Sequence, residues 1–542
     1  MTLTQYGIKY AVHIITSNFG NLVAKVCESL LRRGHLSLKQ LIGFTELTPQ
    51  QVKNSLLILI QHNCVQPFSF DQSEGPKVTQ YIALFDNIIH RGRFAKFLAV
   101  VSQELDTDGV IDSLIIAFPS FVFQHELILK DLLENGRLTL KQIIEGAESS
   151  KSQGDSAGKD SVQESFLKLV NAHFVERCPA PEPVLEQATK QEGPAKKRGA
   201  KSAKMVEVPE TIEQRVIALA APPEAVRFSI MIDSEADAPG GKSDNMSVGE
   251  KRKHPTLEFD TEFGSNDEVV LWRANFEEFI RCLRHKACIE NVRARLDDEA
   301  AVVLRAMLKA TRTAEKKVKT ENSVPLSLNT IYEEVINSEA GRSLTMGRVR
   351  DSLSGLCDSS QERDVDEDES YSADLKKILE LAQDDEVESI VLKRYGKDAY
   401  TMFRILSLAG RPIETDKISD MSQLSLVEKN ETPKILYNLW KDDYLHMERL
   451  VVTGARQSQF LVWRVDKPII WKHVLDEMFH TALNLSLRLA CEEERFKEIT
   501  DLPAHKLLGE MAKQWQLYRN VILVLQASLL KLDDALMLFH DF

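Results

Sequence analysis

Cysteine is scarce and unpatterned in this chain. The seven cysteines, Cys27, Cys64, Cys178, Cys282, Cys288, Cys357 and Cys491, are odd in number, scattered, and include no CxxC pair. That excludes a disulfide-stapled fold and suits a reducing compartment, where a free cysteine serves as a small hydrophobe. Cys282 and Cys288 bracket only His285, so no Cys/His set has zinc spacing. Positive charge is also short. There are 68 Lys and Arg against 81 Asp and Glu, a net −13, the wrong sign for a protein that coats nucleic acid by bulk charge. The longest apolar stretch, residues 110–123, carries Asp112 and Pro119 and falls short of the ~20 residues of a membrane span. No basic-then-apolar secretory pattern opens the sequence. Phosphate loops of the GxxxxGK[ST] type, HExxH helices and GxSxG elbows are missing, so no catalytic residue is nominated and no cofactor or metal is expected. His446, His473 and His480 stand alone and read as packed or surface side chains. An enzyme is the least supported class.

What is present is a repeat. LLRRGHLSLKQLI (residues 30–42) matches LLENGRLTLKQII (residues 132–144) at eight of thirteen positions, 102 residues apart. Val52, Leu56, Leu59 and Ile60 then mark one face of a helix. Val162, Phe166, Leu169 and Val170 repeat that spacing 110 residues on, and the extra eight residues fall in a Ser/Gly-rich loop at 149–160. Two weaker copies follow. One has residues 326–336 before Val349, Leu353, Leu356 and Cys357; the other has residues 408–420 before Leu436, Leu439, Trp440 and Tyr444. Each copy reads as helix, Gly turn, short strand, helix, turn, longer helix, β-hairpin. In the first, Thr48 is the natural cap and Pro49 the first residue of the long helix, with hairpin strands expected at 65–70 and 78–84. In the last, the hairpin is expected at 444–452 and 459–465 around Gly454.

This is the element order of a winged helix, a helix-turn-helix with a β-hairpin wing. The expected fold class is mainly α, made of α+β modules. Four tandem winged helices occupy 1–93, 94–180, 266–383 and 384–467, with an apolar insertion at 107–124 in the second. Residues 181–265 are expected to be a disordered linker, with two basic runs, KKRGAKSAK (196–204) and KRKH (251–254). Either run is a nuclear-targeting signal or simply solvated linker charge. Residues 358–388 hold 13 acids and 3 bases, a local −10. Their core, DVDEDE, lacks the Gly and terminal Glu of a calcium loop and reads as a solvated loop in the third wing.

The last 75 residues are the most regular. Trp471, Leu475, Met478, Ala482, Leu485 and Leu489 alternate steps of four and three. So do Leu508, Met511, Trp515, Tyr518, Ile522, Leu525, Leu529, Leu532, Leu536 and Phe539, each series a heptad seam. Residues 501–505, DLPAH, must turn the chain. An antiparallel helical hairpin of the coiled-coil kind is expected at 468–542, each arm about 30 residues or ~45 Å long. Phe479, Leu483, Val521 and Leu530 widen the apolar stripe, which suits a hairpin docked on another surface. Trp471, Leu475, Met478, Trp515, Tyr518, Ile522 and Leu525 form its candidate assembly seam.

Charge is segregated. Residues 1–93 hold nine Lys and Arg against five acids, a surplus of +4. On the expected recognition helix Gln50, Gln51, Lys53 and Asn54 share the polar face, with Lys77 on the wing. These types bond phosphates or base edges, or else form a polar face that packs on a partner. Arg342, Arg348 and Arg350 cluster near the long helix of the third module with the same two readings.

The segments NFGNLVAKVCESLLRRG, QQVKNSLLILIQHNCV, HFVERCP and LWRANFEEFIRCLRHKACIENVRARLDDEAAVVLRAMLKA, set in this architecture, resemble the third-largest subunit of eukaryotic RNA polymerase III across nearly the whole chain. The resemblance implies a non-catalytic nuclear subunit, distantly similar to the large chain of the general transcription factor TFIIE. It implies a three-subunit subcomplex with two other polymerase III-specific subunits, seated on the clamp of the polymerase III core. Its role would be to recruit the initiation factor and open promoter DNA, single- or double-stranded, for tRNA, 5S rRNA and other short transcripts. The winged helices would face DNA and neighbouring subunits, and the C-terminal hairpin would anchor on the clamp. No membrane is involved. Residues 107–124 look like extra sequence relative to this family, a lineage insertion or a gene-model artefact. A stand-alone winged-helix DNA-binding regulator and a winged-helix scaffold protein are the alternatives.

Overall fold

The computed structural model describes residues 3–71, 78–105, 124–149, 159–186, 211–230, 270–312, 314–315, 317–357, 370–423, 431–452, 458–500 and 509–542. It divides into two compact units, residues 14–276 and Met1–His13 with Glu277–Phe542. Most described residues are helical, with small sheets between the helices.

α1 (Gln5–Phe19) leads into α2 (Asn21–Arg33), which ends at Gly34 with φ +81°. The two-residue strand β1 (Leu36–Ser37) enters α3 (Leu38–Thr45), and the Gln40 side chain accepts from the Ser37 amide at 2.9 Å. α4 (Pro49–Gln61) starts in the same way, with Thr48 as cap and Gln51 closing the box. Val52, Leu56 and Leu59 are buried against α2. The helix stops at Asn63, φ +57°, where the Cys64 amide bonds the Leu59 carbonyl at 2.8 Å. The hairpin β2 (Val65–Asp71) and β3 (Thr79–Ala83) falls where the alternating pattern places it, and β3 also pairs with β1.

After α5 (Phe85–His90) and α6 (Phe94–Leu105) the order repeats as α7 (Gln124–Asn135), β4 (Leu138–Thr139), α8 (Leu140–Ser149), α9 (Lys159–Asn171) and β5 (Val175–Arg177). Its punctuation repeats too. Gly136 has φ +82°, Gln142 accepts from the Thr139 amide at 3.0 Å, and His173 stops α9 at φ +63°. Val162, Phe166, Leu169 and Val170 are buried as the spacing requires.

The expected linker at 181–265 is corrected in part. β6 (Val184–Glu186) adds to β2 as a parallel edge strand, and Leu185 is buried. α10 (Ile212–Ala220) carries its own capping box, Thr211 with Gln214, and buries Val216 and Ala220. α11 (Glu224–Arg227) follows. These short elements are stabilised by surfaces of the preceding modules, not by their own composition. β7 (Leu271–Ala274) is a second correction. Expected in the third module, it lies between β4 and β5, antiparallel to both, in the second. Trp272 points inward, edge-on to Phe166 at 5.2 Å between ring centroids. The strand order β4-β7-β5 therefore copies β1-β3-β2, and residues 178–270 are an insertion inside the second wing. The basic runs, residues 107–123 of the apolar insertion and residues 150–158 of the Ser/Gly loop lie outside the described residues.

The other unit continues with α12 (Phe276–Arg295), α13 (Asp298–Thr311), β8 (Leu326–Ser327), α14 (Leu328–Asn337), α15 (Met346–Leu356) and β9 (Ser370–Tyr371), which pairs with β8. Val349, Leu353 and Leu356 enter its core with α13. The charge of α12 is buried as a network. Glu278 binds Arg281 at 2.6 Å and Arg312 at 2.9 Å, and His285 lies 3.1 Å from Glu315. Next come α16 (Leu375–Tyr395), α17 (Lys397–Ala409), β10 (Ile413–Glu414), α18 (Thr415–Gln423), α19 (Thr432–Lys441), β11 (His446–Val452) and β12 (Ser458–Arg464). Their sheet order is β10-β12-β11, and α19 stops at Asp443, φ +60°. Two long helices, α20 (Lys467–Arg495) and α21 (Glu510–His540), end the chain. Residues 501–508 of the connection between them, the DVDEDE run and Gly454 lie outside the described residues. Among the described residues no helix is long and apolar enough to cross a membrane, and no His, Cys, Asp or Glu cluster is placed to hold a metal.

One half-buried histidine makes the unit of residues 14–276 acid-sensitive. His62, capping α4, packs on Phe19 at 4.6 Å, and the Arg91 guanidinium lies over the same ring at 4.6 Å. Burial, then the charge of Arg91, pushes His62 down from 6.5 to about 4. As pH falls from 6.5 towards 4 the unfolded chain takes up a proton that the folded chain refuses, so stability is lost across that window. His62→Gln should flatten the fall. Urea midpoints of both proteins at pH 7 and pH 5 check this, and an equal drop in both would contradict it.

Candidate nucleic-acid and assembly surfaces

The capping and burial of α4 decide which side chains it offers. Gln50, Lys53 and Asn54 are exposed, and the Gln50 amide donates to Asn54 Oδ1 at 2.9 Å. Gln51 is half-buried, and its carbonyl oxygen accepts from both the amide and the hydroxyl of Thr48 at 3.0 Å. Only its amide hydrogens remain to offer. Leu57, 71% exposed, sits in the middle of the same face, a residue the polar pattern did not single out. Lys77 lies outside the described residues. In the third module Arg342, Arg348 and Arg350 are all exposed, but Arg348 is held by Glu299 at 2.5 Å.

The heptad positions of the long helices turn towards each other. Leu475, Met478 and Ala482 are buried, while Trp471, Trp515, Tyr518, Ile522 and Leu525 are half-buried. Phe496 meets Tyr518 at 5.4 Å and Phe479 meets His540 at 5.9 Å, so the helices run antiparallel. The assembly seam read from the sequence is therefore filled by the chain itself. The large apolar residues left outward on the two helices are Ile469, Leu487, Met511, Leu517, Leu523, Val524 and Leu530. Of these only Met511, a heptad position, and Leu530 stood out from the pattern, because a heptad reading marks the inner stripe first.

α20 is fixed at its start by a polar hub. Tyr444 donates to Glu477 at 3.0 Å, and Arg394 binds the same carboxylate at 2.9 Å. Burial, with Glu477 beside it, pushes the Tyr444 phenol up, so it remains a neutral donor. Of the isolated histidines, His446 is exposed, 3.4 Å from Glu448, and the other two make ring contacts. His473 lies edge-on to Tyr444 at 5.6 Å, and His480 stacks on Tyr6 at 4.0 Å, where the Tyr6 amide also bonds Asp476 at 2.9 Å.

Two family models match. One, RNA polymerase III subunit RPC82, covers residues 164–429; the other, the RPC82 helix-turn-helix domain, covers residues 9–69, which hold α2 to α4. The chain belongs to the RNA polymerase III subunit RPC82 family. Among curated relatives, DNA-directed RNA polymerase III subunit RPC3 of Bos taurus is 23% identical, over 92% of this chain and 87% of its own length. The Homo sapiens protein of that name is 22% identical over 92% and 86%. The Dictyostelium discoideum protein is 22% identical over 99% of this chain and all of its own length. Members of the RPC82 family are non-catalytic polymerase subunits, and this chain is one of them.

Proposed function

We propose that this chain works in transcription initiation as a nuclear subunit of RNA polymerase III, with four winged helices facing promoter DNA or neighbouring subunits. In this reading it joins two other polymerase III-specific subunits, helps recruit the initiation factor, and aids opening of promoters for tRNA, 5S rRNA and other small RNAs. The observation that carries it is the pair of RPC82 matches laid over an element order that recurs along the chain. Gln50, Gln51, Lys53 and Asn54, with Lys77, and Arg342, Arg348 and Arg350 are its candidate DNA contacts. The long helices are its anchor on the clamp, through the outward Leu517, Leu523, Val524 and Leu530. Leu57 favours a second reading for α4 alone, a face that docks protein. Affinity purification of the tagged chain tests the proposal. The polymerase III core and two small partner subunits should be recovered in stoichiometric amounts, and recovery of an unrelated complex would sink it.

A further inference from the structure

Three long module helices end in the same left-handed stop, at Asn63, His173 and Asp443, which aligns their outer faces residue by residue. The face of α4 then reads Asn54, Leu57, Ile58 and Gln61; that of α9 reads Glu164, Leu167, Lys168 and Asn171; that of α19 reads Lys434, Tyr437, Asn438 and Lys441. The first carries no lysine, and the second sets its one lysine beside an acid. Gln61 donates to the Asn135 and Arg137 carbonyls at 3.0 and 2.6 Å, and Glu164 pairs with Lys168 at 3.0 Å. α19 differs in kind. Its ten residues include no acid, two lysines flank an aromatic ring, and Tyr437 is 53% exposed. The ring is braced by Trp440 at 5.5 Å between centroids, so a flat apolar platform is held in water between two cations. Carboxylates stand at both ends of the helix: Glu431 holds Lys434 at 2.7 Å in a solvent-exposed pair of little worth, and beyond Lys441 the Asp442 carboxylate accepts from the Tyr395 hydroxyl while Asp443 is exposed.

We infer that α19 is a nucleic-acid contact, in which Lys434 and Lys441 meet backbone phosphates and Tyr437 stacks on a base, with Asn438 beside it. The geometry suits a strand. The lysines are seven residues apart, about 10.5 Å along the helix, and three base steps at about 3.4 Å span the same length. An exposed aromatic between cations is the arrangement that holds unpaired bases without reading their sequence. The inference rests on the reading of the chain as a promoter-facing subunit, and it names a face that nothing in the sequence pattern singled out.

The test uses the full chain and labelled oligonucleotides, single-stranded in one arm and duplex in the other, with affinity followed between about 50 and 200 mM salt. Lys434→Gln with Lys441→Gln should lower the log–log salt slope by about 1.4 on single strands or about 1.8 on duplex. Tyr437→Ala should weaken single-strand binding roughly tenfold, while Tyr437→Phe keeps it. A larger loss on the single strand identifies an opened strand as the ligand, and a larger loss on duplex identifies the groove; either supports the contact. An unchanged slope in the lysine variant overturns it, as does a wild-type chain that binds neither form. Intact nucleic-acid binding with loss of polymerase subunits from purified Tyr437→Ala also overturns it, making the face a protein contact. Copurification with the polymerase can succeed while all of these fail, so the two readings fall separately. Thermal unfolding of each variant checks that α19 still forms, and the surface lysine variant does not depend on the Tyr437 changes being tolerated.

Discussion

Gly136→Ala should destabilise the unit of residues 14–276 far more than Gly34→Ala, although the two glycines end equivalent helices at φ +82° and +81°. Both substitutions place a Cβ in a backbone region that costs about 1–3 kcal/mol. Around Gly34 nothing lies within 4 Å of the new atom. At Gly136 the Cβ would stand 2.1 Å from the Gln61 carbonyl oxygen and 3.0 Å from the His62 Cα, both backbone atoms. Neither can move alone, because the end of α4 and the end of α7 are interlocked. The Gln61 side chain bonds the Asn135 and Arg137 carbonyls, and the buried Arg137 guanidinium donates to Asn63 Oδ1 at 2.9 Å. Relieving the clash means opening that junction and stranding the polar groups inside it, each at about 1–3 kcal/mol. The expected loss is above ~4 kcal/mol for Gly136→Ala, the range reached only by a named structural failure. Denaturant midpoints give the comparison, and hydrogen exchange at residues 61–63 and 135–137 locates it. Equal losses in the two variants would refute the argument.

The same pair of glycines shows what the sequence makes legible. Gly turn, short strand, capped helix and stop are local signals, set by neighbours within a few residues, so they survive in each copy and can be aligned by eye. Buried positions such as Val52, Leu56, Val162 and Phe166 follow from helical spacing alone. What stays hidden is any pairing made across a long insertion. LWRA carries strand character, but nothing local says that it closes the second sheet from beyond residue 270. Val184–Glu186 and Ile212–Ala220 are short and flanked by polar sequence, and read alone they cannot bury enough to fold. Their order comes from surfaces already built. The candidate surfaces follow the same rule. The exposed polar face of α4 was visible in its periodicity, whereas the Thr48 claim on Gln51 and the Glu299 claim on Arg348 depend on geometry. The face of α19 needed the stop residue Asp443 to set its register.

Glu176→Ala should detach that inserted segment. Glu176 lies on β5, is 2% exposed, and faces Arg273 across the pair with β7 at 2.8 Å. Its other oxygen binds Arg227 at the end of α11. One carboxylate therefore ties together β5, the returning strand and a helix of the insertion. Arg227 also packs on Phe228, which stacks on His173 at 4.0 Å, so the stop of α9 belongs to the same assembly. Removing one partner from a buried charge group usually costs about 3–5 kcal/mol, because the opposite charge is left uncompensated. Both arginines keep partial access to water, at 22% and 19% exposure, which places the expectation near the lower end, about 3 kcal/mol. Glu176→Gln keeps an acceptor and loses the charge, so its loss should be intermediate. Glu164→Ala, which breaks an exposed i,i+4 pair with Lys168, should change stability by less than about 0.5 kcal/mol. The decisive measurement is local. In Glu176→Ala, hydrogen exchange and protease cleavage should rise at residues 224–229 and 271–274 before the core of α7 and α9 responds. Loss spread evenly over the unit would mean that the carboxylate supports the whole fold rather than the closure of one wing.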